Sequence, residues 1–405
     1  VADHDIRVLD ASQTRTAHTL FRGTLHYSAA PDDRWKTVAD SYVPGRTFGA
    51  FDGERMVGTA QSWACGLAVP GGAEVSSAAV SRVGVRADWT RRGVLSALFR
   101  EQLAAFREAG EITATLRASE GLIYGRFGYG VATRAMTVKI DRRKVAVHQG
   151  APSNGRVRIL DGETAADVVV DLFERIGLTR PGGLTRWPSW WSTNLSGDHN
   201  LAEGLKAAVH SGADGDDGYV LYEVERPGHA VGVEGKTVLG VHDLWAANDE
   251  AWAALWRFVL RIDLVDEVVG EYRPLDEPVE WLLADPRALA TIDIADETWL
   301  RLVDVPATLA ARTYRAAEPV VIEVRDRFLP DNDGTYRVTP DGAARTDAPA
   351  DLRLDVDILA ATYLGDTTFT ALAQAGRVDV LNQSALSRAD TLFATAVSPW
   401  CGTFF

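Results

Sequence analysis

The sequence predicts a mixed α/β chain of three parts, and three observations carry that reading. Residues 81–96 read as strand, loop and helix; residues 236–262 repeat that outline; and beyond Asp285-Pro286 a group of strands precedes a group of helices. A chain of 405 residues is also too long for one ordinary core, so two or three domains of roughly 100 to 150 residues are expected.

In the first part, residues 46–85 alternate apolar and polar side chains between turn signals at Asp52-Gly53 and Pro70-Gly71-Gly72, the pattern of antiparallel strands. Val80, Val83 and Val85 supply a β-branched run, and residues 87–90 are turn-prone. Arg91, Arg92 and Gly93 then open a helix over 93–109, in which Val94, Leu95, Leu98, Leu103 and Phe106 recur at helical spacing and after which Gly110 is a terminator. That loop has the chemistry of a phosphate cradle. The first helical amides, at Val94, Leu95 and Ser96, lack partners within the helix and sit at the positive end of its dipole; Gly93 leaves room for close approach, and Arg91 and Arg92 add charge. A salt-bridged surface pair is the competing reading of the arginines. Gly84, inside the strand, marks a bulge or the close approach of a ligand. Next, Ile112, Ala114, Leu116 and Ala118 form one face of a strand. Ser119 is placed to cap a short helix over 120–124, and the run Gly125-Arg126-Phe127-Gly128-Tyr129-Gly130 forces a turn before a strand at 135–140.

A Gly, Pro and Asn-rich linker at 150–155 leads to the second part. Strands are expected at 219–224, 230–233 and 236–244, followed by a helix over 248–262 with Trp252, Leu255, Trp256 and Val259 on one face. Its loop, residues 245–250, has no arginine or glycine and carries two carboxylates, so it should repel a pyrophosphate. The third part reads as strands at 299–303, 320–324 and 335–338, then helices at 358–364, 369–375 and 385–394. Trp400, Phe404 and Phe405 crowd the last six positions, where chains are usually polar and frayed; such a tail would bury large aromatic surfaces if docked.

Composition narrows the function. The chain is 46% hydrophobic and 24% charged, with 56 acidic against 42 basic residues and a formal charge of −14, which argues against nucleic acid and anionic membranes and suits cationic substrates. No apolar run approaches a membrane span, and residues 1–10 lack a signal-peptide core, so a cytoplasmic location is expected. Cys65 and Cys401 lie in no ligand pattern, HExxH and GxSxG motifs are absent, and Asp331-Asn332-Asp333-Gly334 and residues 214–218 suit hairpin turns better than calcium loops. No metal is expected. Trp187, Trp190 and Trp191 are candidates for a pocket wall or for packing between domains.

Val83-x-Val85 followed by Arg91-Arg92-Gly93-Val94-Leu95 resembles the acetyl-CoA motif of the GNAT N-acetyltransferases. The run Ala118-Ser119-Glu120-Gly121-Leu122-Ile123-Tyr124-Gly125-Arg126-Phe127-Gly128-Tyr129-Gly130, together with the stretch from Trp299 to Ala307, Tyr363-Leu364-Gly365 and a terminal Phe, resembles the enhanced intracellular survival (Eis) family within them. The resemblance implies an active GNAT domain (1–149), a second GNAT-like domain without a cofactor site (156–284) and a sterol-carrier-like α+β domain (285–405), assembled as a homohexamer. It implies acetyl-CoA as cosubstrate, with Val83, Gly84 and Val85 along its pantetheine arm, Arg91 to Ser96 around its pyrophosphate, and Ser119 and Glu120 beside it. Tyr124 corresponds to the proton donor and the terminal carboxylate of Phe405 to the base, while His26, Trp35 and Phe404 fall on the acceptor side. The acceptors it implies are polycationic amines: aminoglycosides and protein lysines. A rival reading is a carrier protein that holds an apolar ligand in its last domain and keeps the GNAT parts as scaffold.

Overall fold

A computed structural model of the chain describes residues 4–152, 154–160, 164–196, 201, 204–226 and 235–405. The chain forms two compact units, one of residues 1–133, 180–190 and 297–405, the other of 134–179 and 191–296. No helix among the described residues is long and apolar enough to cross a membrane.

In the first unit, β1 (Asp5–Val8) leads into helices α1 (Thr14–Thr24) and α2 (Asp32–Ala39). The alternating segment then folds as expected into an antiparallel meander of β2 (Thr47–Asp52), β3 (Arg55–Ala68) and β4 (Glu74–Val85), with β1 paired to β2. Its hairpins turn at Gly53 (φ +59°) and at Gly71 and Gly72 (φ +106° and +83°), left-handed backbone that glycine adopts without a Cβ clash. Helix α3 (Val94–Glu108) buries Val94, Leu98, Phe99, Leu103 and Phe106, each worth about 1.5–3 kcal/mol on burial. Gly93 (φ +86°) and Gly110 (φ +76°) bracket it where the sequence placed its ends. The chain returns as β5 (Thr113–Leu116), parallel to β4.

Two expectations fail here. Residues 120–124 form turns rather than a helix, followed by one 3₁₀ turn at Gly125–Phe127; five residues flanked by Gly121 and Gly125 are too few to repay helix nucleation. The strand read at 299–303 does not belong to the last sheet. Its Trp299 and Leu302 lie antiparallel opposite Leu116 and Thr113 of β5.

The rest of this unit is a five-stranded sheet in the order Gly342–Arg345, Gly334–Thr339, Val320–Arg325, Leu352–Asp355, Val378–Val380. Helices Val356–Tyr363, Phe369–Gln374 and Ala385–Phe393 fall on the three runs read as helical. Its core joins Ile322, Leu354, Tyr363 and Phe393 to Leu67 and Ala132 of the amino-terminal part. The glycines of the 125–130 run serve that junction. A Cβ on Gly130 would come within 1.9 Å of the Asp357 carbonyl, and one on Gly128 (φ +81°) within 2.3 Å of the Arg301 guanidinium.

The second unit has the same strand logic. Arg156–Leu160, Lys206–Gly212, Gly215–Glu225 and Val238–Ala246 pair antiparallel in sequence order. Helix Asp249–Val259 follows, shorter than the expected 248–262, and Glu267–Pro274 returns parallel to Val238–Ala246, with residues 135–141 antiparallel beside it. Trp256, Leu255 and Val259 fill its core as their spacing predicts. The strand expected at 230–233 lies outside the described residues.

Candidate active site

The donor side is built where β4 and β5 part. Their parallel pairing ends at Val80 opposite Leu116, yet β4 runs on to Val85, so one backbone edge of Val83, Gly84 and Val85 is left unpaired by β5. A bulge sits at the same place. Thr59 faces Gly84 and Gln61 faces Ser81, so one residue of β3 opposes both Arg82 and Val83, and Arg82 takes a left-handed φ of +51°. Gly84 is explained differently from the ligand approach expected of it. A Cβ there would press on Thr24 and on the Phe21 backbone at 3.0–3.2 Å, so the glycine admits α1 against the sheet.

The loop before α3 keeps its anion-binding potential. Arg91 (φ +61°) and Gly93 turn the chain into the helix, and no side chain caps the first amides, those of Val94, Leu95 and Ser96. Both arginines are exposed, and neither pairs with a carboxylate among the described residues, whereas nearby Arg86 and Arg55 both pair with Asp88. Arg92 lies over the Trp89 ring at 4.9 Å, and its carbonyl is 2.7 Å from the His4 ring nitrogen. The salt-bridged alternative for these arginines is therefore not what the structure contains.

Tyr124 is 6% exposed and packs with Phe99, Phe127 and Tyr129. Burial, and secondarily the charge of Glu120, pushes its phenol up to about 12. The sequence matched an unperturbed phenol near 10 to a thiol leaving group; the apolar surroundings move it away from that match and keep it protonated. Ser119 and Glu120 are exposed at the edge of the same turn.

The aromatic tail is fastened at the far lip of the opening. Glu297, fully buried, accepts from the backbone amides of Cys401 (3.0 Å) and Gly402 (2.9 Å) and from the Thr133 hydroxyl (3.0 Å), and pairs with Arg117 at 3.1 Å. Arg186 donates to the Gly402 carbonyl (2.9 Å) and the Thr403 hydroxyl (3.2 Å), and the Trp190 indole donates to the Phe404 carbonyl (2.6 Å). Phe404 is 55% exposed with Arg117 4.7 Å above its ring, while Phe405 meets Trp187 edge-on at 5.9 Å, and Trp187 stacks on Trp63 at 4.7 Å. Arg117 directly follows the last residue of β5, so this anchorage lies across the opening from the bulge at Arg82 and Val83. Trp187 and Trp190 thus hold the tail, while Trp191 packs against Phe173 in the second unit. Cys401 is buried in the tail, its thiol pushed up to about 11.

The acceptor-side expectations divide. Trp35 belongs to a ring cluster with His18 (5.6 Å) and Tyr42 (5.8 Å). His26 is exposed at the end of α1 (φ +63°) and makes no side-chain hydrogen bond, ion pair or ring contact among the described residues. Sequence reasoning missed Arg82, Arg117, Arg186 and Glu297. The last three act over separations of 105 to 286 residues, which no local pattern encodes. Arg82 could have been suspected, as a charge inside an otherwise apolar strand.

Comparison with known proteins accords with this architecture. Residues 5–132 and 182–302 each match an acetyltransferase (GNAT) domain family, and residues 305–402 match a sterol carrier protein domain family. The chain is 38% identical over 98% of both lengths to a protein described as an N-acetyltransferase from Streptomyces avermitilis. It is 36% identical to the N-acetyltransferase Eis of Mycobacterium bovis, over 90% of this chain and 89% of that one. The crystal structure of an Eis protein from Mycobacterium abscessus superposes with a TM-score of 0.90 at 39% identity over the full length of both chains. A GCN5-related N-acetyltransferase from Anabaena variabilis shares the fold at 19% identity, with a TM-score of 0.85.

Proposed function

This chain belongs to the Eis family of GNAT N-acetyltransferases, and from that premise we propose that it moves the acetyl group of acetyl-CoA to primary amines, with aminoglycosides and protein lysines as the acceptor classes. Supporting the cosubstrate are the uncapped amides at Val94, Leu95 and Ser96, the unpaired Arg91 and Arg92, and the open edge at Val83, Gly84 and Val85. Each suits one part of the molecule: pyrophosphate on the helix terminus, pantetheine along the strand. The formal charge of −14 favours cationic acceptors at long range.

One observation carries the chemistry: the tail is fastened beside the point where β4 and β5 part. The acceptor amine attacks the thioester carbonyl, its proton passes to the Phe405 carboxylate, and the carbon–sulfur bond breaks to leave coenzyme A. No basic group among the described residues pairs with that carboxylate, so it is available to accept the proton. Tyr124 faces a harder task than its model acidity implies. Moving its proton, held at about 12, to a free thiolate near 8.5 is uphill by about 4–5 kcal/mol, so the phenol serves as a hydrogen-bond donor to the departing sulfur.

The test removes Phe405, or extends the chain by one glycine, and follows coenzyme A release from acetyl-CoA against a panel of amines. Turnover should fall by about 100-fold or more while acetyl-CoA affinity is kept. Undiminished turnover in either variant rejects the terminal carboxylate as base.

A further inference from the structure

Arg82 is the one side chain of the donor strand's bulge that points to a further role. It holds a left-handed backbone angle, stays partly accessible, and precedes Val83 directly. Its guanidinium lies 4.5 Å from the Tyr42 ring and 5.2 Å from the Trp63 ring, and Nη1 donates to Gln61 Oε1 at 2.8 Å. No carboxylate pairs with it among the described residues. Burial lowers its pKa, and only neutral groups offset that. A guanidinium has five donors in a planar fork that matches a carboxylate, and a cation so placed without an anion is costly.

Its surroundings are the walls of the acceptor side. Tyr42 belongs to the cluster with His18 and Trp35, while Trp63 leads through Trp187 to Phe405. Arg82 therefore sits between the aromatic cluster of α1 and α2 and the chain terminus, one residue from the strand amide assigned to the thioester. The field there is positive: the charges of Arg82, Arg22 and Arg34 all weigh against protonation of His18. A polycation brought in by the acidic surface would meet like charge at this point.

We propose that Arg82 is a specificity-determining residue that selects acceptor amines carrying a carboxylate close to the amine and disfavours polycations that lack one. This rests on the transferase reading above and narrows its acceptor class. The carboxylate would take the guanidinium fork opposite Gln61, and the amine, one short chain away, would face the acetyl group at Val83.

The experiment is a competition. Wild-type enzyme, acetyl-CoA and equimolar pairs of ω-amino acids of three to six carbons and their carboxamides are mixed, and acetylated products are resolved by mass; an aminoglycoside is run against the same acids. A ratio measured in one tube is independent of how much enzyme is folded. The acids should exceed the amides by about tenfold or more in kcat/KM. Arg82→Met should bring the ratio close to one, and Arg82→Lys should retain part of it, keeping the charge but losing the fork. Equal use of acid and amide, a wild-type preference for the aminoglycoside, or an unchanged ratio in Arg82→Met each overturns the proposal while leaving the transferase reading intact. No acetylation of any amine refutes that reading, and the proposal with it.

Discussion

Two helix termini in this molecule follow the same strand, loop and parallel-strand outline and are built for opposite purposes. At Val94 the chain arrives through Arg91 and Gly93 in left-handed backbone, with no side chain on the first amides and two arginines unpaired. At Asp249 it arrives extended through Asn248 (φ −154°), whose side chain accepts from Ala251 N at 2.9 Å, and Asp249 and Glu250 occupy the first turn. The first leaves its dipole for an external anion; the second satisfies it internally. A shared topology therefore does not make two equivalent sites, because the site resides in a few residues at one terminus.

The largest expected effect concerns what only the first half has been given, a docked tail. Glu297→Ala leaves Arg117 without its buried counter-charge and strips the Cys401 and Gly402 amides of their acceptor. A loss of about 3–5 kcal/mol in denaturant unfolding is expected, with coenzyme A release falling as it does when Phe405 is removed. Retained stability and activity would show that the tail is held elsewhere.

Acid sensitivity should also belong to the first half. Burial, then the charges of Arg82, Arg22 and Arg34, lowers His18 to about 4, whereas an unfolded histidine titrates near 6.5. Between those values the unfolded chain binds a proton that the fold refuses. Stability is thus complete above about 6.5 and declines as pH falls toward 4, by up to about 3 kcal/mol. His18→Gln should flatten that limb of a stability–pH curve; an unchanged slope would place the acid sensitivity in other groups.

The smallest effect sharpens the contrast at the second terminus. Asn248→Ala removes the cap and should cost about 1 kcal/mol in urea unfolding, with acetyl-CoA affinity untouched. A change in affinity would mean that this terminus also serves the cosubstrate.

What the sequence made legible follows the range of the interactions involved. Helix α3, with Gly93 and Gly110 at its ends, and the hairpins at Gly53 and Gly71-Gly72 are local, and their periodicity and turn chemistry were sufficient. The short helix at 120–124 was misread because a capping serine was weighed above two flanking glycines. Trp299–Leu302 was grouped with the wrong sheet because its partner, β5, lies far back in the chain. Gly84, Gly128 and Gly130 looked like ligand or turn glycines, yet the side they leave open is filled by α1, Arg301 and the Asp357 carbonyl. At the site, the motif residues of the donor loop were readable, whereas Glu297, Arg117 and Arg186 draw their meaning from the tail they hold.

The central claim, that the cradle before α3 binds the cosubstrate and its counterpart before Asp249 does not, is tested most directly by calorimetric titration of acetyl-CoA into the full chain. The account predicts one site per chain, weakened about 100-fold or more by Arg91→Glu with Arg92→Glu and unchanged by Asp249→Ala with Glu250→Ala. Two sites per chain, or a single site that survives the arginine exchange, would contradict it.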